Sequence, residues 1–386
     1  LSAITDENFV DGVNMSFFPK LASRRVTGFR QKALTYGSGF LFFWNLILPS
    51  AFASNKQLNI RPMIAQTTKP PLPSPQGMVW IPGGTFLMGC KDCGLVDAEP
   101  VHWVSLHGYW MDETPVTNND FADFVAKTRY KTTAEQTPRP EDYPDVPPDA
   151  LVAGSAVFSP SSSSDAASLV NPYTWWRYVP GASWQSPDGQ SSLTGSLAQH
   201  PVVHVSYYDA DAYCRSLGKY LPTEAEFEFA ARGGFHAKKY AWGDQLKKNG
   251  RWMANIWQGS FPSSNNSDDG FIKTSPVKSF SPNGFGLYDM SGNVWQWCSD
   301  WYRPDFYAQL SATAKLTHNP QGPSSSLDPL EPNVPKRSQK GGSFLCSDKY
   351  CTRYLVGSRG KGAQDSSSDN LGFRCIKRMA QNPTKS

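Results

Sequence analysis

Apolar and polar residues alternate through MVWIPGGTFLMG (78–89) and again through VHWVSLHGYWMD (101–112). The first stretch predicts a strand, a Pro-Gly-Gly turn and a second short strand, and the second stretch continues the strand register. The period then changes. TNNDFADFVAKT (117–128) predicts a helix, with Thr117 as its cap and Phe121, Phe124 and Val125 on one face. SYYDADAYCRSLG (206–218) predicts a second, capped by Ser206 and ended by Gly218. LPTEAEFEFAARGG (221–234) predicts a third: Thr223 and Glu226 form a T-x-x-E capping box, Pro222 bars an earlier start, and Gly233 and Gly234 supply the stop. Beyond residue 235, Gly, Asn, Asp and Trp interrupt every period, so loops and short strands are expected. Few helices and many irregular strands predict an α+β domain over 78–380, and no internal repeat is visible.

From 136 to 200 the chain turns to Pro, Ser, Asp and Gly, with SPSSSSDAAS as the extreme. Such a stretch reads as a long surface insertion, and Trp175, Trp176 and Trp184 predict that part of it docks on the body. The N-terminal region differs in kind. Arg24, Arg25, Arg30 and Lys32 precede the apolar run GFLFFWNLILP (39–49), and AFA (51–53) follows. That order describes a secretory signal peptide over 1–53, with cleavage after Ala53 and Met15 as a possible start; an uncleaved anchor is the alternative. Residues 54–77 then form a Pro-rich linker. Export, to the periplasm or outside the cell, implies an oxidising compartment where paired cysteines become disulfides.

Composition adds limits. Of 386 residues, 13% are aromatic and 18% charged, and the net charge is only +4 with basic residues scattered. Nucleic-acid binding gains no support from this, nor does membrane association after signal cleavage. The six histidines show no H-x3-H or HExxH spacing. No Gly-rich phosphate loop is complete, and no carboxylate pair is placed for glycoside chemistry. The seven cysteines are an odd number, so export would leave one thiol over. Cys298 reads as that buried thiol. Cys90 and Cys93 in GCKDCG suit a small surface disulfide or half of a metal site. Cys346 and Cys351 in KGGSFLCSDKYCTRY stand five positions apart, about 16 Å in an extended strand, so SDKY must turn back if their sulfurs are to meet. A plain disulfide is one outcome of such a turn, and a two-thiolate site for a soft ion such as Cu(I) is the other.

Read together, IPGGTFLMG, LPTEAEFEFAARGG, YAWGD, GLYDMSGNVWQWCSDWY and NLGFRC resemble the formylglycine-generating enzyme (sulfatase-modifying factor) family over residues 78 to 378. The resemblance implies an irregular C-type-lectin-like fold. It implies that Cys346 and Cys351 are active-site thiols holding Cu(I), with Ser343 near the reacting sulfur; beside Gly341 and Gly342, Ser343 also reads as a turn serine. The substrate implied is a cysteine in a Cys-x-Pro-x-Arg segment of an unfolded sulfatase, oxidised by O2 to formylglycine. Family members often carry His after the first cysteine, where this chain has Ser347. Trp295 and Arg359 match positions that line the family's cleft.

The same resemblance pairs Cys214 with Cys375 in a disulfide, a closure on the order of 3–5 kcal/mol by loop entropy. It leaves a second family disulfide unmade, because Ala231 and Val356 stand at its positions. It also implies two Ca²⁺ sites. The first takes side-chain oxygens of Asn255 and Asp269 with the carbonyls of Ile256 and Phe271. The second takes Asp289, the carbonyls of Gly292 and Val294, and Gln296 where a glutamate is usual, so it should be weaker. Turn formation is the other use for these Asn and Asp residues. The contrasting functional class is a non-catalytic C-type-lectin-like binding protein with its last cysteines oxidised, and oxidation of small-molecule thiols is a third possibility.

Overall fold

The computed structural model describes residues 61–64, 70, 73–160, 171 and 174–379. The expected leader and most of the linker lie outside the described residues. Two strands form where the alternation predicts them: β1 (Met78–Ile81) and β2 (Gly84–Met88) flank Pro82 and Gly83 and enter different sheets. Gly83 has φ +72°, and a Cβ there would lie 2.6 Å from the Leu106 carbonyl oxygen, so the turn accepts only glycine. The register of 101–112 breaks at His107-Gly108 into β3 (His102–Leu106) and β4 (Tyr109–Asp112).

Helix α1 (Asn118–Thr128) follows, capped by Thr117 and Asp120 in a reciprocal box. The 136–200 stretch is more regular than its composition suggests. It contains an antiparallel hairpin of β5 (Gly154–Phe158) and β6 (Trp176–Pro180), and buries Trp175, Trp176 and Trp184 against the body. Helices α2 (Tyr207–Ser216) and α3 (Glu224–Ala231) have the caps predicted for them, Ser206 and Thr223. After residue 235 come β7 (Trp295–Trp301), helix α4 (Phe306–Thr313), β8 (Lys336–Lys340), β9 (Gly360–Ala363), β10 (Leu371–Gly372) and β11 (Ile376–Arg378). The sequence reading did not anticipate α4, whose Asp305 makes no side-chain cap.

Strand β4 runs between β1 and β11, with Trp80 opposite Trp110 and Ile376 opposite Met111. A second sheet has the order β9-β8-β7-β10; β10 pairs parallel to β7, and the other neighbours are antiparallel. Helix α3 is buried along its whole length, which no amphipathic pattern predicts. Its three glutamates are each met by a cation from the C-terminal third. Glu224 meets Arg359 at 2.8 Å, Glu226 meets Arg378 at 2.7 Å, and Glu228 meets Lys340 at 2.9 Å. These pairs pin α3 beneath β8, whose next residues form the loop described below.

Candidate active site

Strand β8 ends at Lys340 and the chain turns through Gly341 and Gly342. Gly342 has φ +69°, and a Cβ there would meet the Tyr354 Cα at 2.8 Å, so glycine lets the two limbs of the loop close together. Three backbone bonds then fix the first cysteine. The Cys346 amide donates to the Ser343 carbonyl (2.9 Å), the Phe344 amide to Asn293 (3.0 Å), and the Trp257 amide to the Cys346 carbonyl (2.8 Å). The SDKY segment folds back as required. Ser347 Oγ accepts from the amides of Lys349 (3.3 Å) and Tyr350 (3.0 Å), and the Ser347 amide donates to the Cys351 carbonyl (3.1 Å). Ser347, read from sequence only as a missing histidine, is therefore the residue that makes the turn.

The sulfurs of Cys346 and Cys351 lie 2.8 Å apart, well beyond the ~2.05 Å of a disulfide bond. Cys346 is buried and Cys351 half-buried. Burial pushes the Cys346 thiol well above its ordinary value, and the adjacent Cys351 sulfur acts in the same direction; the Ser343 backbone and the Arg353 charge oppose them. Aromatic rings wall one side. Phe344 and Leu345 pack with Trp175, Trp176 and Trp257, and Tyr350 stacks on Phe261 at a centroid distance of 4.1 Å. Ser343 is buried, and its Oγ accepts from Asn370 Nδ2 (3.0 Å) and the Leu345 amide (3.3 Å). With both acceptor positions used, its hydroxyl proton remains to be donated.

Arg359 does not line a cleft. It is fully buried, forked onto Glu224 with two 2.8 Å bonds, and donates to the carbonyls of Asp97 and Arg303 at 2.9 Å. Trp295 is buried in the same core cluster as Cys346.

The two expected Ca²⁺ sets differ. At the first, Asn255 Oδ1 is buried without a hydrogen-bond partner. Asp269 Oδ2 accepts from the Ile256 amide (3.0 Å) and from Gln258 Nε2 (2.8 Å), which also touches the Ile256 carbonyl oxygen. Phe271 donates its amide to Asp269 Oδ1 at 3.0 Å. The orphaned Asn255 oxygen is what suits a hard cation here; Asp269 Oδ2 and the Ile256 carbonyl both accept from Gln258 Nε2. At the second, Gln296 Oε1 accepts from Arg374 Nε at 2.7 Å, and Arg374 also donates to the carbonyls of Tyr288 (2.7 Å) and Asp289 (3.1 Å). Of the expected ligand oxygens the guanidinium thus takes that of Gln296, while the Asp289 carboxylate accepts from the Lys278 amide (3.1 Å) and Asn293 Nδ2 (3.4 Å); Gly292 and Val294 are buried. With the Gln296 oxygen committed to Arg374, this set offers Ca²⁺ fewer free oxygens than expected.

The remaining cysteines are accounted for. Cys214 on α2 and Cys375 before β11 are joined, with S–S 1.96 Å. Cys90 and Cys93 are also joined, and Cys298 is a buried single thiol. Ala231 and Val356 are buried apolar residues of one core cluster.

An α+β frame that brings a buried and a half-buried sulfur together on one turn defines a thiol-centred site. Among the described residues, no group of three His, Cys, Asp or Glu is placed to hold a metal. Residues 64–379 match the model of the "Sulfatase-modifying factor enzyme 1-like domain" family, and the chain belongs to that family. It is 47% identical over 307 residues to the formylglycine-generating enzyme of Streptomyces coelicolor, covering 78% of this chain and 89% of that one. It is 42% identical over 304 residues to the formylglycine-generating enzyme of Mus musculus, covering 77% and 74%. It is also 36% identical over 305 residues to the inactive Cα-formylglycine-generating enzyme 2 of Mus musculus, covering 77% and 84%. Among solved structures, PvdO from Pseudomonas aeruginosa superposes with a TM-score of 0.52 at 20% identity, covering 78% of this chain and 94% of that one. The fold is the loop-rich, C-type-lectin-like one expected.

Proposed function

We propose that this chain is a formylglycine-generating oxidase that activates sulfatases, acting on a Cys-x-Pro-x-Arg segment before the sulfatase folds. Family membership alone would admit an inactive relative. The observation that carries the catalytic reading is the Cys346–Cys351 pair, whose sulfurs lie 2.8 Å apart on a turn held by Ser347, Trp257 and Asn293. Two soft sulfurs suit Cu(I), which the substrate sulfur could join as a third ligand. Bound there, copper would supply the O2 activation that side chains alone do not.

The chain's own residues do the rest. Cys346, buried with its pKa raised, keeps its proton until a metal displaces it, so metal uptake releases protons. Asn370 and the Leu345 amide orient the Ser343 hydroxyl. The rings of Trp175, Trp257 and Tyr350 keep water from one side of the thiol loop. The overall reaction balances with O2 and two external thiols: the peptide CH2–SH becomes an aldehyde, hydrogen sulfide and water leave, and the thiols become a disulfide.

Purified chain loaded with Cu(I) should convert a synthetic Cys-x-Pro-x-Arg peptide to the aldehyde in air, read by mass and by aldehyde-reactive probes. Conversion should vanish in Cys346→Ala and in Cys351→Ala. Wild-type protein that retains no copper and converts no peptide would instead be a non-catalytic member of the family.

A further inference from the structure

Cys90 and Cys93 have no part in the site described so far, and they are too close in sequence to staple much of the chain. Their loop is held without them: the Cys90 amide donates to the Ala98 carbonyl at 3.0 Å, and the Asp92 amide to Glu99 Oε1 at 3.2 Å. Both cysteines are half-buried and face a cavity of about 500 Å³. The same cavity is lined by Asp348, Thr352 and Tyr354 of the thiol loop, which bracket Cys351 in sequence. Lys91 and Lys239 also line it, and nearby ammonium groups favour thiolates. The Cys90 carbonyl oxygen lies 3.4 Å from Cys93 Sγ, where it can accept the proton of a reduced Cys93 thiol. The structure holds Cys90–Cys93 as the disulfide, while the Cys346 and Cys351 sulfurs are not bonded to each other.

From this we infer that Cys90 and Cys93 are a second redox-active pair, which passes reducing equivalents from small external thiols to Cys346 and Cys351 by way of the cavity that the two loops line together. The inference builds on the reading of Cys346 and Cys351 as the reacting pair. When that pair is oxidised, a thiolate of Cys90/Cys93 attacks Cys351 Sγ, the more accessible sulfur. The Cys346–Cys351 bond breaks, Cys346 leaves as a thiolate and takes a proton, and a mixed disulfide to Cys351 forms. The second cysteine of the C-x-x-C turn then attacks its neighbour and releases Cys351. The active-site pair gains two electrons and two protons, and Cys90–Cys93 becomes the disulfide seen here. Two equivalents of an external thiol reduce it again.

The test uses the whole chain without copper, oxygen or peptide. Cys93→Ser with Cys346→Ser, and Cys90→Ser with Cys346→Ser, are equilibrated in a dithiothreitol redox buffer, alkylated and digested. A mixed disulfide between Cys351 and Cys90 or Cys93 is expected in most molecules of at least one variant, seen as linked peptides; its absence from both overturns the proposal. A second measurement spares Cys346 and Cys351. Reduction of the Cys346–Cys351 disulfide by glutathione should be at least about tenfold slower in Cys90→Ala/Cys93→Ala than in wild type, and equal rates overturn the relay. Because neither readout involves turnover, failure of the relay leaves the oxidase reading untouched, and failed peptide oxidation leaves the relay untouched.

Discussion

Replacing Arg359 by alanine separates a structural reading of this residue from a cleft-lining one. In the structure its guanidinium is fully buried, and two 2.8 Å bonds tie it to Glu224, itself 1% exposed. It also satisfies the carbonyls of Asp97 and Arg303 and lies over the ring of Tyr307 at 4.3 Å. Arg359→Ala leaves the Glu224 carboxylate buried without its counter-charge, a situation that costs about 3–5 kcal/mol. No neighbour can share the load. The Asp300 carboxyl, whose oxygen accepts from the Glu224 amide, is itself pushed up to about 8, by burial first and then by the Glu224 charge.

The assay is urea unfolding followed by circular dichroism, beside peptide kinetics at temperatures where the variant is folded. With a slope of about 3 kcal/mol per molar urea, at the upper end for small proteins, the midpoint should fall by about 1–2 M. KM for the peptide should hold steady among folded molecules. Combining Arg359→Met with Glu224→Gln removes both charges and should recover most of the loss. An unchanged midpoint with a raised KM would refute the reasoning, because it would place Arg359 in contact with substrate.

Three other outcomes follow from particular contacts. Burial lowers the His204 pKa to about 3, and its Nδ1 bonds Ser155 Oγ at 2.8 Å. The unfolded chain therefore binds the extra proton between about pH 6.5 and 3, and this contribution to stability is lost as pH falls through that window; at pH 5 the loss is about 2 kcal/mol. His204→Asn, which suits the φ of +59°, should reduce the acid sensitivity by that amount in unfolding titrations. A terbium or calorimetric titration should find one tight Ca²⁺ site, abolished by Asp269→Asn; a second site of similar affinity would contradict the weakening expected from Arg374 on Gln296 Oε1. Chelation should also loosen the thiol loop through the Trp257–Cys346 bond, seen as faster alkylation of Cys351. Ser347→Ala removes the acceptor for the Lys349 and Tyr350 amides, and should weaken copper binding several-fold, whereas Ser347→Asp, which keeps an acceptor, should weaken it less.

Legibility in the sequence followed the range of the interaction involved. Helices α1, α2 and α3 could be placed because a cap and its N3 partner lie three residues apart, so the signal is complete within one turn. Helix α4 has no such pair, and its existence depends on Tyr307 being buried beside Arg359, which nothing nearby in sequence announces. The glutamates of α3 show the same limit more sharply. E-A-E-F-E looks like a half-solvated helix until Lys340, Arg359 and Arg378 arrive from more than 100 residues away, after which the polar side of the helix is as buried as the apolar side. At the site, the cysteine pair could be recognised because its chemistry lies in residue type and spacing. The roles of Ser347 and Gln296 could not, because substitution of a recognised position says what is missing and not what replaces it. Ser347 closes the turn on which the two sulfurs meet, and Gln296 accepts from Arg374 through its oxygen while donating to the Asp289 carbonyl through its nitrogen. Both departures from the family pattern therefore act on the thiol loop through its supports, Ser347 directly and Gln296 through the Asp289–Asn293 segment whose Asn293 carbonyl holds the Phe344 amide.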